Sequence, residues 1–425
     1  MKTINALFVV LCFFVFSNSQ AIDLGHGFTI KGFGTAGLVN SSNNGADFVA
    51  NSNVQASGVG RTNDTSLVVD SKLGLQLDYQ ATDRLSFAVQ GLSRQQYNKS
   101  FDPILEWAYV KFKILPELHI RAGRIRPAIY MLSDYLDVNY SNPWVRPPVE
   151  FYTTAAIDRM EGVDLLWRPS IGDLSWLVQP YFGVTDLKTP GVGNSFKADN
   201  ILGINLTGTY SDLTLRAGFG QGDITLFSPS LTQAQSGLNI ICNTGLDPIA
   251  CAQYNAFNTT RKNVIFSSVG ANWDNGNYFV LGEFGKRFAK TKVISDVTTW
   301  YISGGARINK FTPYITYSSY HNDSPVTFNG DTNNVFNLGL GAAVNQIATG
   351  LLQGGNAMDQ NTISLGMRYD FMSKFALKAQ WDHIQTSTKN GLAGTGDGLF
   401  VNQQAGFGNS PTQVDLFSVT LDFAF

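Results

Sequence analysis

The sequence has few charged residues and no long apolar segment. Charged side chains make up 15% of the 425 residues, against about 25% in ordinary soluble domains. No run of about 20 consecutive apolar residues, the length that a membrane-spanning helix needs, occurs in the chain. The low charge sets the chain apart from ordinary soluble domains, and the lack of a long apolar run argues against transmembrane helices. The formal net charge of −2 argues against a nucleic-acid partner.

Cysteine is also scarce, with three in the whole chain. Cys12 lies in an apolar N-terminal run, without a small-residue lipobox before it at a cleavage point. Cys242 and Cys251 lie nine residues apart in a segment that contains Gly, Asn and Pro. In an oxidising compartment such a pair predicts one loop-closing disulfide, and two free thiols are the alternative.

The N-terminus has the organisation of a signal peptide. Met1 and Lys2 give a weakly positive start, residues 6–16 are apolar, and Ser19 and Ala21 fit a small-residue cleavage site. We expect residues 1–21 to be removed after export and residues 22–425 to form a single domain. An N-terminal membrane anchor is the alternative, but the apolar run is too short for a span of about 20 residues.

The dominant pattern in the remaining chain is period-two alternation. Between Leu67 and Tyr79 nearly all odd positions are apolar, whereas Asp70, Lys72 and Asp78 occupy even ones. Successive strand side chains point to opposite faces, so one face is apolar and the other is charged. The run is longer than the ~5–6 residues of an ordinary strand and long enough to cross a membrane at a tilt.

Short turns join such segments into seven hairpins, and a first and a last strand bring the count to sixteen. The predicted hairpins are 67–79 with 85–94, 107–114 with 118–124, 163–167 with 174–182, 201–210 with 213–220, 264–273 with 278–287, 300–308 with 311–320, and 363–371 with 375–382; the end strands are 28–38 and 414–425. The pattern is weakest in the hairpin at 163–182. The glycine-rich segment Val335–Val344 is either a β-ribbon in a loop or part of a strand.

Longer segments rich in Gly, Asn, Ser, Thr and Pro separate the hairpins, at about 39–65, 95–103, 125–157, 184–199, 222–262, 288–297, 321–360 and 384–412. Short turns at one end and long loops at the other are typical of outer-membrane barrels. We therefore predict an all-β fold, a closed antiparallel transmembrane β-barrel of about 16 strands with short periplasmic turns and long extracellular loops. An even strand number lets the first and last strands pair, which leaves no free edge in lipid.

The C-terminus supports this fold. From Phe417 to Phe425 apolar residues alternate with Ser, Thr, Asp and Ala, and the chain ends in phenylalanine. An alternating strand with a terminal aromatic residue resembles the signal by which outer-membrane barrels are recognised. This resemblance implies that Phe425 contacts the barrel-assembly machinery, and that outer-membrane lipid and lipopolysaccharide surround the protein.

Strand parity assigns most strand charges to the face opposite the apolar one. A Lys or Arg facing lipid at the midplane costs ~2–4 kcal/mol, so we expect these residues to line a water-filled lumen. The predicted cations of the lumen wall are Lys72, Arg94, Lys111, Lys113, Arg168, Arg216, Arg287, Arg307, Arg368 and Lys378.

Residues 104–152 carry the most distinctive motifs. Trp-Ala-Tyr-Val-Lys from Trp107, Arg-Ala-Gly-Arg-Ile-Arg-Pro from Arg121, and Pro-Trp-Val-Arg-Pro-Pro-Val-Glu from Pro143 resemble proteobacterial porins, including the branch related to phosphate-selective porins. The resemblance implies a homotrimer in which the third long loop, 125–157, folds into the pore and narrows it.

The resemblance also implies a pore constriction, for which the candidates are Arg121, Arg124, Arg126 and Arg146, with Asp134, Asp137 and Glu150 as opposing acids. A ring of fixed arginines favours anions. Two hypotheses remain open: the arginines form a charge filter, or they pair with the loop's own acids and fix its position. The first predicts a mild anion preference that high salt weakens.

Two further patterns point to no cofactor or metal. Gly32 to Gly37 match G-x-G-x-x-G, but no helical period follows, so we expect the glycines to allow close strand packing instead. The histidines His26, His119, His321 and His383 are scattered without metal-ligand spacing.

The predicted function is an outer-membrane porin for passive diffusion of small hydrophilic solutes, and not an enzyme. A substrate-specific channel or a barrel adhesin is the alternative. An outer-membrane enzyme would need a nucleophile and base on the lipid side, whereas His119 and His383 are predicted on the lumen side.

Overall fold

The computed structural model describes residues 21–155, 157–244, 248–324, 359–387, 400–404, 406–408 and 410–425. Within them, sixteen antiparallel strands form a closed barrel, as the alternation predicts. The barrel strands are β1 (Phe28–Ser41), β2 (Lys72–Gln80), β3 (Leu85–Arg94), β4 (Ile104–Leu115), β5 (Leu118–Ile125), β6 (Met160–Trp167), β7 (Leu174–Lys188), β8 (Ser195–Tyr210), β9 (Leu213–Phe227), β10 (Lys262–Asp274), β11 (Tyr278–Ala289), β12 (Val297–Ala306), β13 (Phe311–Asn322), β14 (Asp359–Met372), β15 (Phe375–Ser387) and β16 (Thr412–Ala424). Each strand pairs with the next, and β16 pairs with β1.

The seven hairpins and both end strands are confirmed, including the hairpin at 163–182. The predicted strand from Leu67 is wrong at its start, because β2 begins at Lys72. There Ser71 Oγ donates to the Leu67 carbonyl at 2.5 Å and accepts the Gly37 N–H at 3.0 Å, which replaces strand pairing. β7 and β8 extend further than predicted, so only residues 189–194 separate them. Val335–Val344 lies outside the described residues.

The outward face of the barrel is apolar, in accordance with the period-two pattern. Its exposed side chains include Leu75, Phe182, Val269 and Phe417, each at least half exposed. Three α-helices occur in the described chain, α1 (Val149–Tyr152), α2 (Pro229–Asn243) and α3 (Pro248–Phe257), together with two 3-10 helices, Ser133–Tyr135 and Asn139–Ser141. In these residues no helix has the length and apolarity to span a bilayer.

α2 and α3 are joined by a disulfide between Cys242 and Cys251, so the predicted pairing is confirmed.

The glycines of the G-x-G-x-x-G match lie where β16 closes against β1. Gly32 and Phe425 exchange two backbone hydrogen bonds, of 3.0 and 2.8 Å. A Cβ on Gly32 would lie 2.4 Å from the Phe425 ring, and one on Gly34 would lie 2.6 Å from the Phe423 ring. The absent side chains therefore make room for the aromatic rings of the last strand at this closure seam.

Loop segments cover the long-loop end of the barrel beside the seam. Two-residue strands Asp47–Phe48, Val59–Gly60 and Phe400–Val401 form a small antiparallel sheet. Phe48 and Phe400 pack there with Val149 of α1 and with Val39 and Val414 of the seam strands. Through this packing the first and last long loops contact α1, which belongs to the segment 126–159 inside the lumen.

Candidate functional site

The segment 126–159 between β5 and β6, here called loop 3, lies inside the barrel. Every strand from β9 to β16 forms a hydrogen bond with it. The wall residues are Arg216, Ser268, Glu283, Ser303, Thr316, Arg368, Gln380 and Ser418, one on each successive strand. Loop 3 therefore covers one half of the lumen wall, here called the covered half.

Small side chains on the covered half allow loop 3 to approach closely. A Cβ on Gly218 would lie 3.0 Å from the Ile129 carbonyl oxygen, and one on Gly270 would lie 3.0 Å from Met131 Cε. Several other lumen-facing positions of this half are buried hydroxyl residues: Ser268, Thr299, Ser303, Thr316, Ser318, Thr362, Ser364, Ser418 and Thr420.

An aromatic core fixes loop 3 against this half. Trp144 is 1% exposed and donates its Nε1–H to Ser303 Oγ at 2.9 Å and Thr316 Oγ1 at 3.0 Å. Its ring lies edge-on to Tyr301. The hydroxyls of Tyr301 and Tyr152 both donate to the buried carboxylate of Glu283, so the polar atoms of this core are hydrogen-bonded.

Cations of the covered half bind loop carbonyls. Lys378 Nζ donates to the carbonyls of Asn139 and Trp144 at 2.7 and 2.8 Å. Arg216, Arg287 and Arg368 likewise donate to loop carbonyls, those of Ala128, Thr154, and Tyr140 with Asn142 respectively. These four residues are lumen-facing, but they contact the loop and not open solvent.

The other half of the wall, from β2 to β8, carries longer polar side chains and is here called the uncovered half. Gln90 donates to Gln76 at 2.8 Å, and Gln76 donates to Asp78 at 2.8 Å. Lys111 and Lys113 are half-buried and form no ion pair with a described residue. Their ammonium groups leave fixed positive charge on this wall.

Arg121 lies on the uncovered half, buried and paired. Its Nε donates to Asp164 at 2.9 Å and its Nη2 at 2.5 Å. The guanidinium also lies 5.3 Å from the ring centroids of Trp107 and Tyr109, a cation–π geometry. Asp134 of loop 3 is exposed and interacts electrostatically with Arg121.

Arg126 and Asp137 belong to a second charge cluster, at the base of loop 3. Arg126 Nη2 donates to Glu106 at 2.5 Å and to Asp137 at 2.6 Å. Asp137 also accepts from Arg94 at 3.0 Å and lies 3.6 Å from Lys72 Nζ. Burial disfavours ionisation of Asp137, but the three cations outweigh it and hold its pKa below the ordinary value.

Arg146 and Glu150 lie further along the loop, apart from Arg121 and Arg126. Arg146 pairs with Asp70 and Asp382. Glu150 accepts hydrogen bonds from Ser318, Gln360 and Thr362, and burial raises the pKa of this carboxyl group. The three inward arginines thus pair with different carboxylates, and Arg146 lines one cavity with Lys72, Arg94 and Asp137.

The expectation for Arg124 is corrected. Its side chain points outward, where it donates to Glu161 at 2.6 Å and to the Leu105 carbonyl at 3.0 Å. Arg121 and Ile125 of the same strand are buried on the lumen side. Arg124 comes three positions after Arg121 in the strand, so alternation puts them on opposite faces.

Arg168 and Arg307 are also corrected, because they lie in short turns and not on the lumen wall. Strand pairing ends at Trp167 and Ala306, so the inward–outward alternation stops before these arginines. The Arg307 guanidinium pairs with Asp274 at 2.6 Å in a partly exposed site. The prediction for His383 was wrong too: it faces outward and contacts Asp415 at 2.8 Å.

Glu106, Asp158 and Asp70 were missed as partners of the arginines. The pairing of β3 with β4 skips Glu106, since Gln90 pairs with Trp107 and Gly91 with Leu105. Such a bulge turns two successive side chains inward, and parity alone does not predict it. Asp70 has the lumen parity of its segment, which is the one sequence signal for its inward position.

Three comparisons describe the relation to known proteins. No protein-family model matches the chain, and neither does any curated protein. Among solved structures, OmpF of Salmonella typhi in complex with daunomycin is 13% identical with a TM-score of 0.55, over 96% of this chain and 100% of that one. An anion-selective porin of Comamonas acidovorans is 12% identical with a TM-score of 0.53, over 94% and 99%.

OmpT of Vibrio cholerae, expressed in the outer membrane, is 12% identical with a TM-score of 0.52, over 96% of this chain and 100% of that one. At such identities the likeness concerns the fold. The chain has the barrel fold of bacterial outer-membrane porins.

Proposed function

We propose that this protein is an outer-membrane porin that lets small hydrophilic solutes diffuse passively, with a mild anion preference. The observation that carries the proposal is the contrast between an apolar outer face and a lumen whose uncovered half bears polar side chains. A closed barrel with that polarity separates lipid from water along its length.

Solutes would pass between loop 3 and the uncovered half. Asp134 and Tyr135 are exposed on the loop side, and Gln76, Tyr109 and Lys111 are partly exposed on the wall side. The rest of loop 3 contacts the covered half, except at its base, which pairs with Arg94 and Glu106 of β3 and β4. We therefore propose that the constriction lies at Asp134 and Tyr135, with Arg121 paired to Asp164 opposite them.

Unpaired lysines are the best candidates for an anion preference. The guanidinium groups of Arg121, Arg126 and Arg146 are each bonded to carboxylates, which offset their charge. Lys111 and Lys113 have no such partner in the described chain. Fixed positive charge in a narrow pore raises the local anion concentration, and salt screens it over ~10 Å at 0.1 M.

Reversal potentials in a planar bilayer under a low-salt KCl gradient test this function. The purified protein should conduct, and Lys111→Glu with Lys113→Glu should move the reversal potential toward cation preference. Lys188→Glu with Lys197→Glu, the same charge change on the outer face, is the matched control and should leave the potential unchanged. Absence of conductance would contradict the channel, and equal shifts in both variants would contradict the role of the lysines.

We further propose a homotrimer, which the outer face supports. Toward the long-loop end, outward residues of β1–β4 are mostly small or aliphatic and those of β5 and β6 include the paired Arg124 and Glu161, whereas Phe227 and Phe288 stand on β9 and β11. Aromatic girdles mark lipid-facing surface, so we assign the β1–β6 face to contacts between copies. V. cholerae OmpT has been solved in a trimer form. Chemical cross-linking of unheated protein should give a three-chain species.

Export and assembly complete the proposal. Residues 1–21 would direct secretion, and Phe425 would be recognised by the barrel-assembly machinery. The barrel would then lie among outer-membrane lipid and lipopolysaccharide. We propose a channel and not an enzyme: the second ring nitrogen of outward-facing His383 contacts the Gln385 amide at 3.3 Å, and an amide is not a nucleophile.

A further inference from the structure

Arg146 lies in the stiffest part of loop 3, between Pro143 and Pro148. Its side chain is 5% exposed. Nε and Nη2 donate to Asp70 at 2.8 and 2.6 Å, Nη1 donates to Asp382 at 2.8 Å, and Nη2 also donates to Ser418 Oγ at 2.7 Å. Four of the five guanidinium N–H groups are thus engaged in a fixed planar geometry.

The acceptors of Arg146 come from distant parts of the chain. Asp70 precedes β2 near the N-terminus, whereas Asp382 and Ser418 lie on β15 and β16 near the C-terminus. The three are 76, 236 and 272 residues from Arg146. Closure of the barrel by pairing of β16 with β1 brings them together, so Arg146 is bound at the closure seam.

A second buried cation binds loop 3 to the same seam. Lys378 Nζ holds the carbonyls of Asn139 and Trp144 and lies 2.9 Å from Asp422 on β16. Asp422 accepts the Thr35 hydroxyl of β1 at 2.6 Å. Lys378 thus links loop 3 to β16, and Asp422 links β16 to β1, an arrangement that needs the closed barrel.

We propose that Arg146 is a positioning residue that latches loop 3 to the closure seam, so that the lumen narrows only in the closed barrel. It acts through the loop and not as a charge filter, because its own charge is taken by Asp70 and Asp382. The consequence for conductance rests on the proposed channel function. The latch itself concerns loop position and is measurable without conduction.

Thiol labelling of the loop tests the latch. In a background with Cys242→Ser and Cys251→Ser, a cysteine replaces Val145, which is fully buried beside Arg146. A bulky membrane-impermeant maleimide should label Val145→Cys slowly. Adding Arg146→Met should raise the labelling rate about ten-fold or more, because burial limits access to the opening of the loop. Arg146→Lys, which keeps a charge without the planar fork, should fall between the two.

The matched control is Arg124→Met, which breaks an arginine–carboxylate pair on the outer face and should leave labelling unchanged. If Arg146→Met fails to fold, Asp70→Asn with Asp382→Asn removes the acceptor charges instead and should also expose Val145→Cys. Heat-modifiable migration of each variant verifies that the barrel is closed. Slow labelling in closed Arg146→Met barrels, or equally fast labelling with Arg124→Met, would overturn the latch.

Single-channel conductance separates the latch from the channel function. Arg146→Met should raise conductance about two-fold, because loop 3 occupies one half of the wall and conduction follows pore size. If the parent protein does not conduct while labelling changes as expected, the channel proposal fails and the latch stands. If the parent conducts but the variant shows neither faster labelling nor a wider pore, the latch fails alone.

Discussion

The two halves of the lumen wall differ in side-chain size at the positions where loop 3 packs against one half and solvent reaches the other. The covered half has glycine, serine and threonine where loop 3 approaches, as at Gly218, Ser303 and Thr316. The uncovered half has Gln76, Gln90, Lys111 and other long polar residues. Small lumen-facing residues thus lie where loop 3 packs closest, whereas the long cations of the covered half donate to loop carbonyls. Long polar residues of the uncovered half lie where water remains.

The largest expected effect comes from removing the aromatic anchor of the covered half. Trp144→Ala should lower the free energy of unfolding by about 3–5 kcal/mol, as for large buried aromatic residues, and leave Ser303 and Thr316 without its indole N–H. Tyr135→Ala is the control, since Tyr135 is 39% exposed. Urea unfolding in lipid vesicles measures both, and equal losses would contradict the distinction between the halves.

Overfilling the covered half should have a smaller effect. Gly218→Leu would put a side chain where a Cβ already lies 3.0 Å from the Ile129 carbonyl, at a cost of about 1–3 kcal/mol. Lys111→Leu on the uncovered half should cost less, because loop 3 does not pack there. The urea midpoints of unfolding measure the stability of both variants. A larger loss of stability in Lys111→Leu would contradict the assignment of loop 3 to the covered half.

Glu150 should make loop docking depend on pH. Burial raises its pKa above the ordinary 4.5, so the docked loop holds a proton that the released loop loses. The contribution to docking is therefore retained at low pH and declines as pH rises from about 4.5 through the raised value. Glu150→Gln should remove this decline above about pH 4.5, whereas exposed Asp134→Asn should preserve it. Fluorescence-monitored unfolding at a series of pH values measures this dependence. A Glu150→Gln profile like that of the parent would show that Glu150 does not cause it.

The disulfide should matter least, because it joins two loop helices outside the hydrogen-bonded wall. Cys242→Ser with Cys251→Ser should change the unfolding free energy of the barrel within about 0.5 kcal/mol, as for substitutions away from the core. Thiol labelling of the native, unreduced parent should fail. Strong labelling of both cysteines, or collapse of the barrel without them, would show that this loop has another part in the fold.

Alternation and short turns predicted the seven hairpins, because each hairpin is local and the polar–apolar period is independent of distant residues. The start of β2 and the length of β7 and β8 were not predicted. Pairing of the arginines was not predictable in that way. The acceptors of Arg146 lie up to 272 residues away, and only the closed barrel brings them close. The inward position of Glu106 was not predicted because it lies at a bulge, where the period-two alternation is interrupted.

The outward position of Arg124, in contrast, is predictable from the period-two alternation of its strand. Its separation of three from Arg121 indicates the outer face, whereas clustering in the sequence suggested a common site. The small lumen-parity residues of β9–β16 were an unused signal of the same kind. They indicate the docking surface of loop 3 without any knowledge of its contacts.

Cysteine accessibility tests the central distinction between the two halves most directly. In the background without Cys242 and Cys251, single cysteines replace Lys111 on the uncovered half and Ser303 on the covered half, and a small membrane-impermeant thiol reagent is added to the protein in vesicles. We expect Lys111→Cys to react at least about ten-fold faster than Ser303→Cys, because loop 3 must open before the reagent reaches the cysteine at position 303. Equal rates would contradict the claim that loop 3 covers that half of the lumen.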